Sequence, residues 1–339
     1  MITPGSAAPL PLPGFVQIEP VGQCNLSCRM CPVVYRGDGD PGRPPAFMAY
    51  ETFCSVLDEF PDLRELQLQG MGEPFLHPRL LDMVRHAAAR GIAVSTNTNL
   101  TAFSERRARE CVTSGLKRLH VSIDAADPQA YAYIRTGSRL DRVLRNLARL
   151  VAAKRDLETC DPEIILVAVA MRRNLDQLPD LVRLAHRYDV RSVAVQHLAH
   201  DFTEGTLPEK YRPMRGFVDG ETLLQADAAE VERWFSAARS VAADLGVDLR
   251  LPNVRPKDPD SHRRLRCDWP WRGAYVTYTG QAMPCCMIAT PDRYAFGNMA
   301  HDGVARIWTS AEYEAFRKRL ASDDPPEICR GCAIYNGTF

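Results

Sequence analysis

Cys24, Cys28 and Cys31 place three thiols on one short loop, Cys24-Asn25-Leu26-Ser27-Cys28-Arg29-Met30-Cys31. A structural zinc ion takes four ligands, so zinc here would have to borrow a distant fourth. Three thiolates on a cubane of four irons instead leave one iron open to a chelating ligand and to electron transfer. A second group, Cys267, Cys285, Cys286, Cys329 and Cys332, lies near the other end of the chain. The opening residues, MITPGSAAPLPLPG, carry no charged stretch ahead of an apolar one and read as no secretion signal. Eleven cysteines in such a context point to thiols held free in a reducing cytoplasm for metals or catalysis, not to disulfides. Cys54 and Cys111 fall on apolar helix faces and read as inert core thiols, while Cys160 takes no role.

The loop must be positioned by a scaffold, and the chain is large enough to supply one. With 339 residues, 45% of them hydrophobic, it can bury a full core in one large domain plus a smaller one. Six β-rich runs recur: FVQIE (15–19), RELQLQ (64–69), IAVSTN (92–97), RLHVSID (118–124), IILVAVA (164–170) and SVAVQ (192–196). Helical patterns fill the gaps. Pro78 opens one that Gly91 closes, and Ser104 opens one that Gly115 closes. Ser138 with Asp141 forms a capping-box signal ahead of Leu140, Val143, Leu144, Leu147, Leu150 and Val151. This alternation predicts an α/β fold, a partial (β/α)6 TIM-like barrel of parallel strands. Reactive groups of such barrels sit on loops after the strands' carboxyl ends, where the cysteine triplet falls. The expected layout is a flexible segment over 1–13, the barrel over 14–252, a polar linker over 253–266 and a small cysteine-rich domain over 267–339. The linker's Arg263, Arg264 and Arg266 read as a solvated face.

Charge and hydropathy exclude two partner classes. Lys plus Arg and Asp plus Glu each number 42, so nucleic acid is not expected. No run reaches the roughly 18 apolar residues of a membrane span, and a cytoplasmic location is expected.

An open iron can chelate the amino and carboxylate groups of S-adenosylmethionine (SAM), and one electron then breaks a carbon–sulfur bond to give a 5′-deoxyadenosyl radical. With the cysteine loop and the strand–helix rhythm of roughly residues 14–250, the chain resembles the radical SAM superfamily. That resemblance implies a SAM-binding 4Fe-4S cluster on Cys24, Cys28 and Cys31, with Met30 at the adenine in place of the commoner aromatic. Gln69-Gly70-Met71-Gly72-Glu73-Pro74 resembles the family's GGEP element, which receives the SAM amino group, with Met71 replacing its first glycine. Glycine allows close backbone approach to a ligand, and a carboxylate suits an ammonium. At strand ends, Ser95, Asn97, Ser122 and Asp124 match positions that hydrogen-bond the ribose and carboxylate of SAM, and Val169 joins them by position. Arg135 matches an arginine that relatives aim at the SAM carboxylate. His197 reads as a satisfied structural histidine.

The pattern Cys267…Gly280-x4-Cys285…Cys329-Arg-Gly-Cys332 resembles the first half of a SPASM domain, the shortened form called twitch. It implies a second, auxiliary 4Fe-4S cluster closed by Cys267, Cys285, Cys329 and Cys332, against a rival reading as a four-cysteine zinc site. Cys285 and Cys286 are adjacent, leaving the ligand between them open, and Cys286 is either a bystander or a hydrogen-atom donor. The resemblance implies hydrogen abstraction, with two-electron oxidation of a small molecule, an aminocyclitol or sugar, as the leading expectation. An external one-electron donor such as flavodoxin or ferredoxin is implied. Only some 14 residues precede the first strand, too few for a leader-peptide-binding domain, which places a SPASM-type peptide or protein maturase second. A non-catalytic iron–sulfur electron carrier is the third reading.

Overall fold

The structure, a computed structural model, describes residues 10–37, 46–198, 204–253, 255 and 267–338. The basic cluster Arg263, Arg264 and Arg266 lies outside the described residues.

Each of the six apolar runs forms a strand: β1 Phe15–Ile18, β2 Glu65–Leu68, β3 Ala93–Thr98, β4 Arg118–Ser122, β5 Glu163–Ala170 and β6 Ser192–His197. They pair in chain order and in parallel, as β1 with β2 through β5 with β6. A short β7, Asp248–Arg250, extends the parallel order beyond β6. Parallel pairing requires a crossover between strands, supplied by helices including Tyr50–Asp58, Leu80–Ala89, Glu105–Val112, Leu140–Asp156, Leu178–Arg187 and Ala228–Leu245. The sheet has two free edges, so the barrel is incomplete.

Alternation along the strands sorts the residues into two layers. Leu66, Leu68, Val94, Thr96, Leu119, Val121, Leu166, Ala168, Val193 and Val195 are buried on the helix side. Their neighbours Gln67, Ser95, Asn97, His120, Ser122 and Gln196 are only half-buried and line the concave face. This polar concave surface explains why β5 alone reads as a continuous apolar run while β2, β3 and β4 alternate.

At the edge opposite β7 the sheet continues beyond β1. β8, Gly273–Val276, pairs in parallel with β1, and β9, Ala282–Met283, returns antiparallel to β8. The cysteine-rich segment is therefore joined to the barrel by main-chain ladder bonds, which local patterning does not foretell. Helix caps follow sequence in one case and not in another. Ser104 accepts the Arg107 N–H as expected. Ser138 does not cap its helix: Arg139 occupies the N-cap position, and the Ser138 hydroxyl bonds Tyr131 instead. No helix among the described residues is long and apolar enough to cross a membrane.

Candidate functional site

The cysteine triplet follows β1 directly, and a buried carboxylate anchors its loop. Glu19 is fully buried and forms a fork with Arg36, Oε1 to Nη1 at 2.7 Å and Oε2 to Nη2 at 3.2 Å. Its oxygens also accept the N–H groups of Met71 (2.9 Å) and Tyr278 (3.4 Å). One carboxylate thus ties together both ends of the cysteine loop, the turn after β2 and the turn after β8. Neither Glu19 nor Arg36 carries a sequence signal beyond being charged residues beside a strand and a cysteine loop.

The backbone around Gly72 gives a steric reason for glycine. A Cβ there would overlap the carbonyl oxygens of Val21 and Gln23, and the Glu73 N–H donates to Gln23 O at 2.8 Å. The close approach is to the cysteine loop's own backbone. Glu73 is held by hydrogen bonds within the protein. It is buried, Oε1 accepts Thr98 Oγ1 (2.7 Å) and the Phe75 N–H (3.1 Å), and Oε2 accepts the Asn99 N–H (2.7 Å). Burial raises its pKa against these hydrogen bonds. Pro74 starts the buried 3-10 turn Pro74–Leu76 that follows.

Asn99, which sequence reasoning passed over, carries the connection onward. Its Nδ2 lies 3.7 Å from Cys24 Sγ and 3.1 Å from Asn25 Oδ1, and Asn25 Nδ2 donates to Thr101 Oγ1 at 2.8 Å. The polar run Thr98-Asn99-Leu100-Thr101 immediately after a strand was the available signal.

Asp124 and Arg135 form an ion pair. Asp124, fully buried, accepts Arg135 Nε at 2.5 Å on Oδ2 and the Val169 N–H at 2.8 Å on Oδ1. Each of its oxygens thus already accepts one hydrogen bond from within the protein. Arg135 is held with its charge balanced beside Cys28, whose thiolate it favours electrostatically. Ser95, Asn97 and Ser122 remain on the half-buried concave face, where Gln67 Nε2 reaches Asn97 Oδ1 at 3.4 Å. Met30 and Cys28 are buried with Leu26, Ile134, Met171, Leu198, Tyr211, Met214 and Val218, and Cys24, Cys31 and Val169 pack on that cluster. His197 Nε2 donates to Asn253 O at 2.8 Å, while its buried Nδ1 has no hydrogen-bond partner among the described residues.

The triplet thiols are pushed well above the ordinary thiol range by burial, Cys24 and Cys31 to about 12. Left alone they stay protonated; coordination to a metal reverses this, because a bound thiol is deprotonated by the cation's charge.

In the second group, Gly280 adopts φ +84° in the turn between β8 and β9, which only glycine adopts without strain, and sends the chain into Cys285. Cys329 sits in the turn of helix Glu327–Arg330 and Cys332 just beyond, its N–H donating to Cys329 O at 3.2 Å. Cys267, Cys285 and Cys286 pack on one buried cluster with Trp269, Tyr275, Met283 and Ile288. Burial raises Cys267 to about 11 and Cys286 and Cys329 to about 12, with the neighbouring thiols adding to it. Among the described residues no three Cys, His, Asp or Glu side chains close on a point as they do around one zinc ion. Cys267, Cys285 and Cys286 pack on an apolar cluster in which the Tyr275 hydroxyl is buried without a hydrogen-bond partner among the described residues. Cys54 and Cys111 take no part; Cys111 is fully buried in the core and Cys54 lies half-buried on helix Tyr50–Asp58.

The segment after β6 clasps the two groups together. Glu204 Oε1 accepts Arg293 Nε and Nη2, both at 2.6 Å, and Arg293 Nη1 donates to Ile288 O at 3.0 Å in the turn that follows Cys286. Gly205 N–H donates to Glu327 Oε1 at 2.7 Å. The Tyr211 ring packs with the triplet's cluster while its hydroxyl donates to Asp292 at 3.0 Å.

Known proteins match along the same division. The family model described as the Radical SAM superfamily matches residues 18–185, and that of an iron–sulfur cluster-binding domain, SPASM, matches 267–333. A tungsten-containing aldehyde ferredoxin oxidoreductase cofactor-modifying protein of Pyrococcus furiosus is 27% identical over 321 residues, 89% of this chain and 83% of that protein. The PqqA peptide cyclase of Xanthomonas campestris pv. campestris is 24% identical over 330 residues, 95% of this chain and 80% of the cyclase. The fold is shared with Streptococcus suis SuiB bound to its precursor peptide SuiA, at a TM-score of 0.71 and 14% identity, over 97% of this chain and 71% of that one.

Proposed function

Because the chain belongs to the radical SAM superfamily and carries a C-terminal SPASM iron–sulfur domain, we propose that it is a peptide-modifying enzyme, a maturase rather than an oxidase of small metabolites. Membership brings a 4Fe-4S cluster, SAM and auxiliary iron–sulfur binding. The observation that carries the peptide reading is the likeness to PqqA peptide cyclase along 95% of this chain. A fold shared with SuiB, seen with its precursor peptide, supports it. This reverses the order expected from sequence, in which an aminocyclitol or sugar stood first.

In this reading Cys24, Cys28 and Cys31 hold the SAM-site cluster, and Cys267, Cys329, Cys332 and Cys285 or Cys286 hold the auxiliary one. When bound, cluster and SAM supply the reducing electron, delivered by an external one-electron donor, and the radical that takes a substrate hydrogen. The protein's part is placement. Glu19, Arg36, Glu73 and Asn99 fix the cysteine loop, Asp124 presents a charge-balanced Arg135 beside Cys28, and Ser95, Asn97 and Ser122 offer polar groups to the SAM ribose from the concave face. Met30 and Val169 give the adenine an apolar bed.

The test is anaerobic incubation of the reconstituted protein with dithionite, SAM and either short peptides, including those encoded beside its gene, or aminocyclitols and sugars. The reading expects a peptide to stimulate 5′-deoxyadenosine formation and to change mass by hydrogen loss or cross-linking. Stimulation by the small polyols alone would overturn it.

A further inference from the structure

Tyr275 is fully buried, and its hydroxyl has no hydrogen-bond partner among the described residues. An unmade hydrogen bond in an apolar interior is costly, and in native proteins such an orphan points to a partner supplied from elsewhere. The sheet says where the hydroxyl is. Tyr275 pairs with Met283 across the antiparallel β8–β9 ladder, and the chain bends at Pro284 into Cys285, which caps the 3-10 turn Cys286–Ile288. Tyr275 and Met283, directly opposite on the ladder, share one face of the sheet, and the bend after Met283 carries Cys285 and Cys286 against that face. Packing agrees: Tyr275, Met283, Trp269 and Ile288 form the buried cluster on which Cys267, Cys285 and Cys286 lie.

We infer that the Tyr275 hydroxyl donates a hydrogen bond to a sulfur of the auxiliary iron–sulfur cluster, thiolate or sulfide, and thereby raises that cluster's reduction potential. The phenol is a neutral donor in this wall with no acceptor among the described residues, and cluster sulfurs are acceptors. Donors to cluster sulfur favour the reduced, more negative state and so raise the potential. Tyr275 is thus a tuning residue for whatever electron the auxiliary cluster takes, whether the substrate is a peptide or a small molecule.

The experiment is a mediated redox titration of the reconstituted full-length protein, wild type beside Tyr275→Phe, read by electron paramagnetic resonance with SAM added to separate the SAM-site signal. Iron and sulfide content are measured on the same samples. The inference expects full iron, an unchanged SAM-site potential and an auxiliary potential shifted to more negative values in Tyr275→Phe. Site-specific 3-fluorotyrosine at 275, a stronger donor of nearly the same shape, shifts it the opposite way, and this variant decides the matter if the phenylalanine protein fails to load iron. In deuterated buffer, an exchangeable deuteron coupled to the reduced auxiliary cluster disappears in Tyr275→Phe. An auxiliary potential identical to wild type in a loaded variant would overturn the inference and leave the hydroxyl bonded to a buried water.

Discussion

Arg293→Met is the substitution with the most calculable consequence. Arg293 and Glu204 are each 3% exposed at the side chain, so the pair is screened very little by solvent. Methionine keeps much of the volume but removes both N–H donors to Glu204 Oε1 at 2.6 Å and the one to Ile288 O at 3.0 Å. What remains is a buried carboxylate that has lost its ion-pair partner, a situation that costs about 3–5 kcal/mol. At about 1.4 kcal/mol per factor of ten, that is roughly a hundredfold to a few thousandfold more frequent opening of the clasp between residues 204–211 and 286–293. The double variant Glu204→Gln/Arg293→Met removes the buried charge as well and recovers most of the loss, since replacing both ions is often close to neutral. Amide hydrogen exchange resolved by peptide mass spectrometry reads this directly: protection falls in those two segments in the single variant and returns in the double, while β2 to β4 exchange as in wild type. Equal protection in wild type and Arg293→Met, or a double variant as open as the single, would refute the reasoning.

Gly72→Ala forces a methyl group into the carbonyl oxygens of Val21 and Gln23, so the cysteine loop shifts; iron analysis and Mössbauer spectra are expected to show loss of the SAM-site cluster with the auxiliary one retained. His77 is held neutral by burial, with Nε2 bonded to Met48 O at 2.9 Å and Nδ1 accepting the Arg79 N–H at 3.0 Å. Its folded pKa is lowered below the reference 6.5, so the stability it contributes is complete above about pH 6.5 and declines as pH falls below it. Urea midpoints measured from pH 7.5 down to about 5.5 are expected to decline, and His77→Gln to decline less steeply over the same range.

The features legible in the sequence were those set by neighbours along the chain. All six runs became strands because β-branched and apolar residues alternating with turn residues specify local extension, and the triplet after β1 landed at the strand's carboxyl end. Ser104 capped its helix for the same local reason. What escaped depended on distant partners. The pairing of β8 with β1 joins residues some 258 positions apart, Phe15 with Gly273, and nothing in GAYV announces it. Glu73 and Arg135 were singled out as ligand contacts through the family resemblance, and Asp124 as a polar group at a strand end. Their partners, Asn99, Val169 and each other, are visible only when the strands stand side by side. Asn99 and Glu19 were missed for the converse reason: their importance lies in what they bridge, not in their residue type.

The central claim is radical chemistry at the three-thiol loop, and one comparison tests it most directly. The anaerobically reconstituted protein, with dithionite and SAM, is assayed for 5′-deoxyadenosine beside a Cys24→Ala/Cys28→Ala/Cys31→Ala variant that retains the auxiliary cluster. Formation by the wild type and none by the variant is the predicted result. No 5′-deoxyadenosine from a wild type carrying a full SAM-site cluster would contradict the account and bring a non-catalytic electron carrier forward in its place.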